Sequence, residues 1–202
     1  MRLPLASGLL LATALVSFGA SAADGTPSRV RGTIASLTDT VLTVKSREGP
    51  DVAIALAPDY KIRGVKAAAA TDIKTGDFVG VASVPTSAGG DGAVEVLIFP
   101  AAMKGTGEGS YPWDVQPNST MTNATVSNAV TGVDGSSLTL TYPEGEKTIS
   151  LPEGIPVVTF ADAGKEDLTP GATVFVPATK DAEGKLSTAF VVVGTGGVVP
   201  PM

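Results

Sequence analysis

Residues 104–114 read KGTGEGSYPWD and bring together the side chains best suited to hold a ligand: Lys104, Glu108, Tyr111, Trp113 and Asp114. Alternating glycines at 105, 107 and 109 suggest a loop whose backbone amides cradle a phosphate. The pattern stops short of that chemistry. Ser110 stands where G-x-G-x-x-G needs its third glycine, no G-K-[ST] follows, and no helical periodicity comes next to offer an N-terminus to an anion. Two readings stay open at this point. Tyr111, Pro112 and Trp113 form either an aromatic and polar ligand platform or a plug that buries area between neighbouring elements.

A second group of candidates is basic. Arg29 with Arg31, Lys45 with Arg47, and Lys61 with Arg63 are spaced two apart, which places each pair on one face of a strand. Arg31, Lys45 and Arg47 are therefore candidates for a surface that meets an anionic polymer or an acidic partner protein of the cell envelope. The plain alternative is a solvated outer face.

The composition excludes more than it selects. There is no His and no Cys among the 202 residues, so serine triads, cysteine–histidine dyads and His/Cys zinc sites are all ruled out. Only carboxylates and hydroxyls remain for catalysis, and no pair of them is arranged for it. We expect no catalytic residue, no metal ligand and no cofactor. The net charge is −6, which disfavours nucleic acid as a partner.

What must position these residues is an all-β chain. From Val30 onward, short alternating runs are broken by Gly, Pro, Asp and Asn, and the pattern predicts strands over residues 30–36, 41–46, 51–56, 78–84 and 94–99. In 41–46, Leu42 and Val44 share the apolar face. A helical turn is expected over 66–70, with Thr71 or Asp72 as its cap. The plan then repeats: Leu42-Thr43-Val44 returns as Leu138-Thr139-Leu140, and DIKTGDFVGV (72–81) returns as DLTPGATVFV (167–176). Gly76 and Gly171 fall where the chain turns into the following strand and are expected at positive φ. Five short strands with one apolar face bury it best by closing into a barrel. The expected architecture is two tandem OB-like antiparallel barrels from an internal duplication, with an SH3-like barrel or a small sandwich as alternatives. The divisions are an export signal at 1–22, a first barrel repeat at 24–100, an ordered Gly/Pro/aromatic connector at 101–125 and a second barrel repeat at 126–202.

The signal rests on Arg2, an apolar run over 9–18 and Ala20-Ser21-Ala22 before Ala23. No later window reaches the apolar length of a spanning helix, so a periplasmic or secreted location without a membrane span is expected. The opening VRGTIASL (30–37), DIKTGDFVGVAS (72–83), the centre MKGTGEGSYPWDVQPNSTMTNATV (103–126) and TLTYPEGEK (139–147) resemble a family of uncharacterised exported proteobacterial proteins, some labelled as permeases of metal transporters. The resemblance covers nearly the whole chain after the signal and implies tandem β-barrels of unknown activity in the envelope. The functional expectation is a non-catalytic binding or interaction module. The alternatives are a structural accessory of the envelope or a carboxylate-based hydrolase acting on envelope polymers.

Overall fold

Thr26–Leu37 (β1), Val41–Ser46 (β2) and Asp51–Ala67 (β3) pair in succession as an antiparallel meander in the computed structural model, which describes residues 25–130 and 136–201. The expected export signal lies outside the described residues. Phe78–Pro85 (β4) and Asp91–Ile98 (β5) form a hairpin, followed by Gly109–Pro112 (β6), Thr120–Val130 (β7), Ser136–Tyr142 (β8), Gly145–Leu151 (β9), Val157–Ala161 (β10), Thr173–Lys180 (β11) and Leu186–Gly194 (β12). The described residues contain no α-helix, only three single 3-10 turns, and no helix among them is long and apolar enough to cross a membrane.

Strand β1 pairs β11 antiparallel, β11 pairs β12, and β12 returns in parallel to β3, closing a five-stranded barrel in the order β1-β2-β3-β12-β11. Its interior is the apolar face seen in the alternation: Leu42, Val44 and Ile54 are fully buried, together with Val176 and Val191 from the far end of the chain. The barrel is therefore assembled from both sides of the expected division. Strands β4 and β5 lie in the span 24–100 but pair elsewhere: β4 runs antiparallel to β7, the meander β7-β8-β9 follows, and β9 meets β5 in parallel at Asp91↔Ile149 and Gly92↔Ser150. Their shared core contains Val79, Val81, Val96, Leu138, Leu140 and Ile149.

The long strand β3 explains how the two groups are joined. It runs past the expected end at Leu56 through Pro58, bends, and pairs β12 again from Lys61 onward before its last residues pair β10. Pro58 has no N–H to give a ladder, and the pairing with β12 shifts register just there, between Thr188 and Phe190. Strand β10 then bridges β3 and β5, antiparallel to the one and parallel to the other. A third apolar cluster fills the seam, with Val65, Leu97, Val158, Phe175 and Val192 buried between the outer faces of the two strand groups. The edge-to-face rings of Phe78, Phe99 and Phe160 lie beside it, with centroids 5.3 and 5.7 Å apart.

The expected helical turn at 66–70 is extended as far as Ala67. The turn comes at Ala70–Asp72 instead. Asp72 is the third residue of that turn and the capping position is Ala69, whose amide donates to the Asp72 carboxylate at 2.8 Å. Gly76 and Gly171 adopt φ of 94° and 88°, the left-handed turns expected of them.

Candidate functional site

The outer face of β5-β4-β7-β6 carries two rows of side chains across neighbouring strands. Leu97, Gly80 and Asn123 stand side by side in one, and Glu95, Ala82, Met121 and Tyr111 in the other. Both rows have a small residue on β4, and that vacancy opens the site. A Cβ at Gly80 would come within 2.7 Å of the Asn123 side-chain oxygen and 3.2 Å of the Phe99 ring, so glycine lets both side chains close over β4. The opposing wall is the outer face of the barrel, where Arg29 pairs with Pro177 and Arg31 with Phe175. Between them lies a cavity of about 150 Å³, bounded by Leu97, Phe99, Met121, Phe175 and Pro177, with Tyr111, Trp113 and Pro201 along its sides.

The connector borders this cavity on one side. Strand β6 pairs only with β7, and the loop after it is pinned where the Trp113 amide donates to the Ser119 carbonyl at 2.8 Å. Asn118 takes φ of 61° in that loop, a conformation asparagine accepts better than most residues. Tyr111 and Trp113 meet edge to face with centroids 6.0 Å apart, and the Arg29 guanidinium lies 3.8 Å above the indole. Tyr111 and Trp113 are half-buried and line the cavity, whereas Pro112 is exposed.

Asp114 fastens the connector to the barrel. Arg31 donates to its carboxylate at 2.7 Å and Arg29 at 3.3 Å, while Arg31 also lies 3.8 Å from Glu48. Arg31 is only 5% exposed and sits over the Phe175 ring. The expectation of a basic surface therefore fails for Arg31, whose guanidinium is committed to a carboxylate of its own chain. Lys45 and Arg47 remain exposed, and they border a separate groove with Thr33, Thr173 and Pro200. Lys104 is exposed and donates to the Gly76 carbonyl at 3.3 Å, away from the cavity, and Glu108 is also exposed outside it. Of the expected site residues, the structure brings Tyr111 and Trp113 together at the cavity, with Asp114 and Arg31 as the clamp behind them.

Burial pushes the Asp114 carboxyl upward, but the hydrogen bond and charge of Arg31, and then those of Arg29, outweigh it and leave the pKa below the usual carboxylate value. Burial raises the Tyr111 phenol, with the Arg29 charge opposing. A carboxyl depressed in the folded state stabilises above its unfolded pKa of about 3.9 and loses that contribution as pH falls through the lower, folded value. Urea midpoints of the wild type should therefore fall more steeply below about pH 4 than those of Asp114→Asn. Parallel acid-side curves would remove the clamp from the account.

Most of the residues lining the cavity have no forerunner among the expected ones, Glu95, Asn123 and Phe175 among them. Glu95 is 9% exposed on β5 and lines the cavity, as does Asn123, whose amide donates to the Tyr111 hydroxyl at 3.1 Å. Phe175 comes from the distant strand β11. Glu95 did leave a trace in the sequence, since it is the one charge inside the apolar run VEVLI at 94–98. Comparison of the chain with family models, curated proteins and solved structures finds no match.

Proposed function

We propose that the protein is a non-catalytic binding module of the periplasm or the exterior, and that its ligand site is the cavity under the connector. The observation that carries this reading is a half-open space of about 150 Å³ whose aromatic and aliphatic walls come from Leu97 on β5, Tyr111 on β6, Met121 on β7, Phe175 and Pro177 on β11, and from Phe99 and Trp113 beside them. A concave, mainly apolar site with a few convergent polar groups is the usual form of a small-molecule site. The resemblance to exported proteins supports the location.

The same reading takes the fold as a duplicated OB-like barrel. Its support is the parallel construction of the halves: in the two 3-10 turns the Ala69 N–H donates to Asp72 and the Gly164 N–H to Asp167, each at 2.8 Å. Leu42 and Val44 are buried as Leu138 and Leu140 are. The order β7-β8-β9-β5-β4 repeats that of β1-β2-β3-β12-β11, with one parallel pair in each. In that description the halves exchange their last hairpins, so each barrel would contain strands from both repeats.

Toluene tests the cavity. It should bind with a saturable heat at one molecule per chain and raise the thermal midpoint in proportion to the logarithm of its concentration above Kd. Leu97→Phe puts a ring into the space and should abolish that heat in a protein that still folds. Absence of saturable heat in the wild type, or its survival in Leu97→Phe, would mean that the cavity is not the site.

A further inference from the structure

We infer that the open groove beside Lys45 and Arg47 is a second binding site, for a carboxylate carried on a short aliphatic chain, with the carboxylate between Lys45 and Thr33 and the chain against Val199. The groove shares no lining residue with the cavity under the connector, and the inference does not depend on that cavity being a ligand site.

Register builds the groove. Thr33 on β1 pairs with Lys45 on β2 and with Thr173 on β11, while their chain neighbours Ile34, Val44 and Val174 are buried in the barrel core. Alternation therefore sets Lys45, Thr33 and Thr173 in one row on the outer face. Directly opposed side chains on neighbouring strands have Cβ atoms ~5 Å apart, a span that one carboxylate can bridge. The Thr173 hydroxyl is spent on the Val198 carbonyl at 2.9 Å, a bond that ties the segment 198–200 along the groove as its far wall. Arg47 comes alongside the row, its amide donating to the Arg31 carbonyl at 2.8 Å. The groove so formed has a volume of about 350 Å³.

Charge selects the occupant. Three basic side chains line the groove and no acidic one does, although acids outnumber bases by 20 to 14 in the chain. Arg31 is held by Asp114 at 2.7 Å, and Arg47 by its neighbour Glu48 at 3.2 Å. Lys45 has no such match: among the described residues its ammonium makes no ion pair or hydrogen bond, and the Thr33 hydroxyl opposite makes no hydrogen bond either. An ammonium and a hydroxyl side by side, both able to donate, are complementary to one charged acceptor. Thr33 and Thr173 carry no charge, so the row gives one anionic group a place and gives a polyanion no track. The far wall supplies the apolar part. Val199 is 62% exposed, one of two large hydrophobic side chains so exposed among the described residues, and an aliphatic chain lying on it removes apolar surface from water.

Hexanoate, hexanol and hexylamine share a chain and differ in charge. In amide proton–nitrogen NMR titrations at pH 7 and low ionic strength, hexanoate should shift the Thr33, Lys45 and Thr173 signals saturably. Hexanol should bind there roughly two- to fivefold more weakly, the ratio expected from one exposed ion pair, and hexylamine should leave those signals unmoved. Lys45→Met should bring hexanoate down to the affinity of hexanol, and about 0.5 M salt should do the same in the wild type by screening. Absence of saturable shifts at Thr33, Lys45 and Thr173 overturns the assignment, as does shift confined to the cavity residues Gly80, Met121 and Asn123. Equal affinities for hexanoate and hexanol, or a preference for hexanoate that survives Lys45→Met, overturns it too. The toluene experiment reads the cavity alone, so either conclusion can fall while the other stands.

Discussion

Leu140→Ala should destabilise the protein by ~2–5 kcal/mol, as deletion of a fully buried leucine does, and the loss should appear in one cooperative transition. Leu140 is 0% exposed in the core shared by β4, β5, β7, β8 and β9. Two of those strands, β4 and β5, precede the expected connector at 101–125, β7 begins within it, and β8 and β9 follow it. The closed barrel has the complementary make-up, with β1, β2 and β3 from before the connector and β11 and β12 from after it. Neither group can melt without withdrawing strands that are covalently continuous with the other, and β10 pairs to both sides of the seam through β3 and β5. Hydrogen exchange in dilute urea should therefore show amides of β2 and β8 opening together, in the wild type and in Leu140→Ala alike. Protection of β1, β2 and β3 that persists after β7, β8 and β9 have exchanged would contradict the interlaced assembly.

Trp113→Ala should cost about 3 kcal/mol, the lower end of the range for removing a buried aromatic, because the residue is half-buried rather than enclosed. The loss has two parts. The Arg29 guanidinium loses the ring it lies on, and Tyr111 loses its edge-to-face neighbour. The cavity also loses a wall, so toluene should bind more weakly in this variant, and more so than in Asp114→Asn, which leaves both rings in place. With tandem barrels tethered in sequence order, removing the plug would separate two unfolding transitions. In the interlaced assembly a single transition persists at a lower midpoint. Urea denaturation followed by far-ultraviolet circular dichroism distinguishes these outcomes, and a biphasic curve for Trp113→Ala would argue against the exchange of hairpins.

Local structure was the legible part of this chain. The alternation of Leu42 and Val44 in VLTVKS, and of Leu138 and Leu140 in SLTLTY, reports which face each strand buries. Period-two patterning is a property of the strand alone. Gly76 and Gly171 were legible for a similar reason, since a positive φ is settled by the turn in which it sits. Pairing was not legible. The ladder of β1 with β11 joins Val30 to Val176, and nothing in either segment distinguishes that partner from one nearer in sequence. Alternation states that a face is buried and is silent on what covers it.

The same limit explains the site. Tyr111, Trp113 and Asp114 stood out because they lie together in an unusual segment, and they do line or anchor the cavity. Arg31 stood out for its charge, and it is buried where β11 brings Phe175 beneath it and the connector brings Asp114 to it. Gly80, Glu95, Leu97 and Phe175 are ordinary members of their strands until the register of β5, β4 and β7 sets them in rows facing the barrel. A cavity made by small residues on one strand and large ones on its neighbours is a product of register, and register is fixed by long-range pairing.

If this space is a preformed site for a small ring, a crystal structure determined under xenon pressure should show it occupied. Xenon enters apolar cavities of about this volume without requiring polar partners. A xenon atom is expected among Leu97, Phe99, Met121 and Phe175, with the connector unchanged and the Arg29, Arg31 and Asp114 clamp intact. Side chains packed through that volume, with xenon absent from it, would contradict the claim.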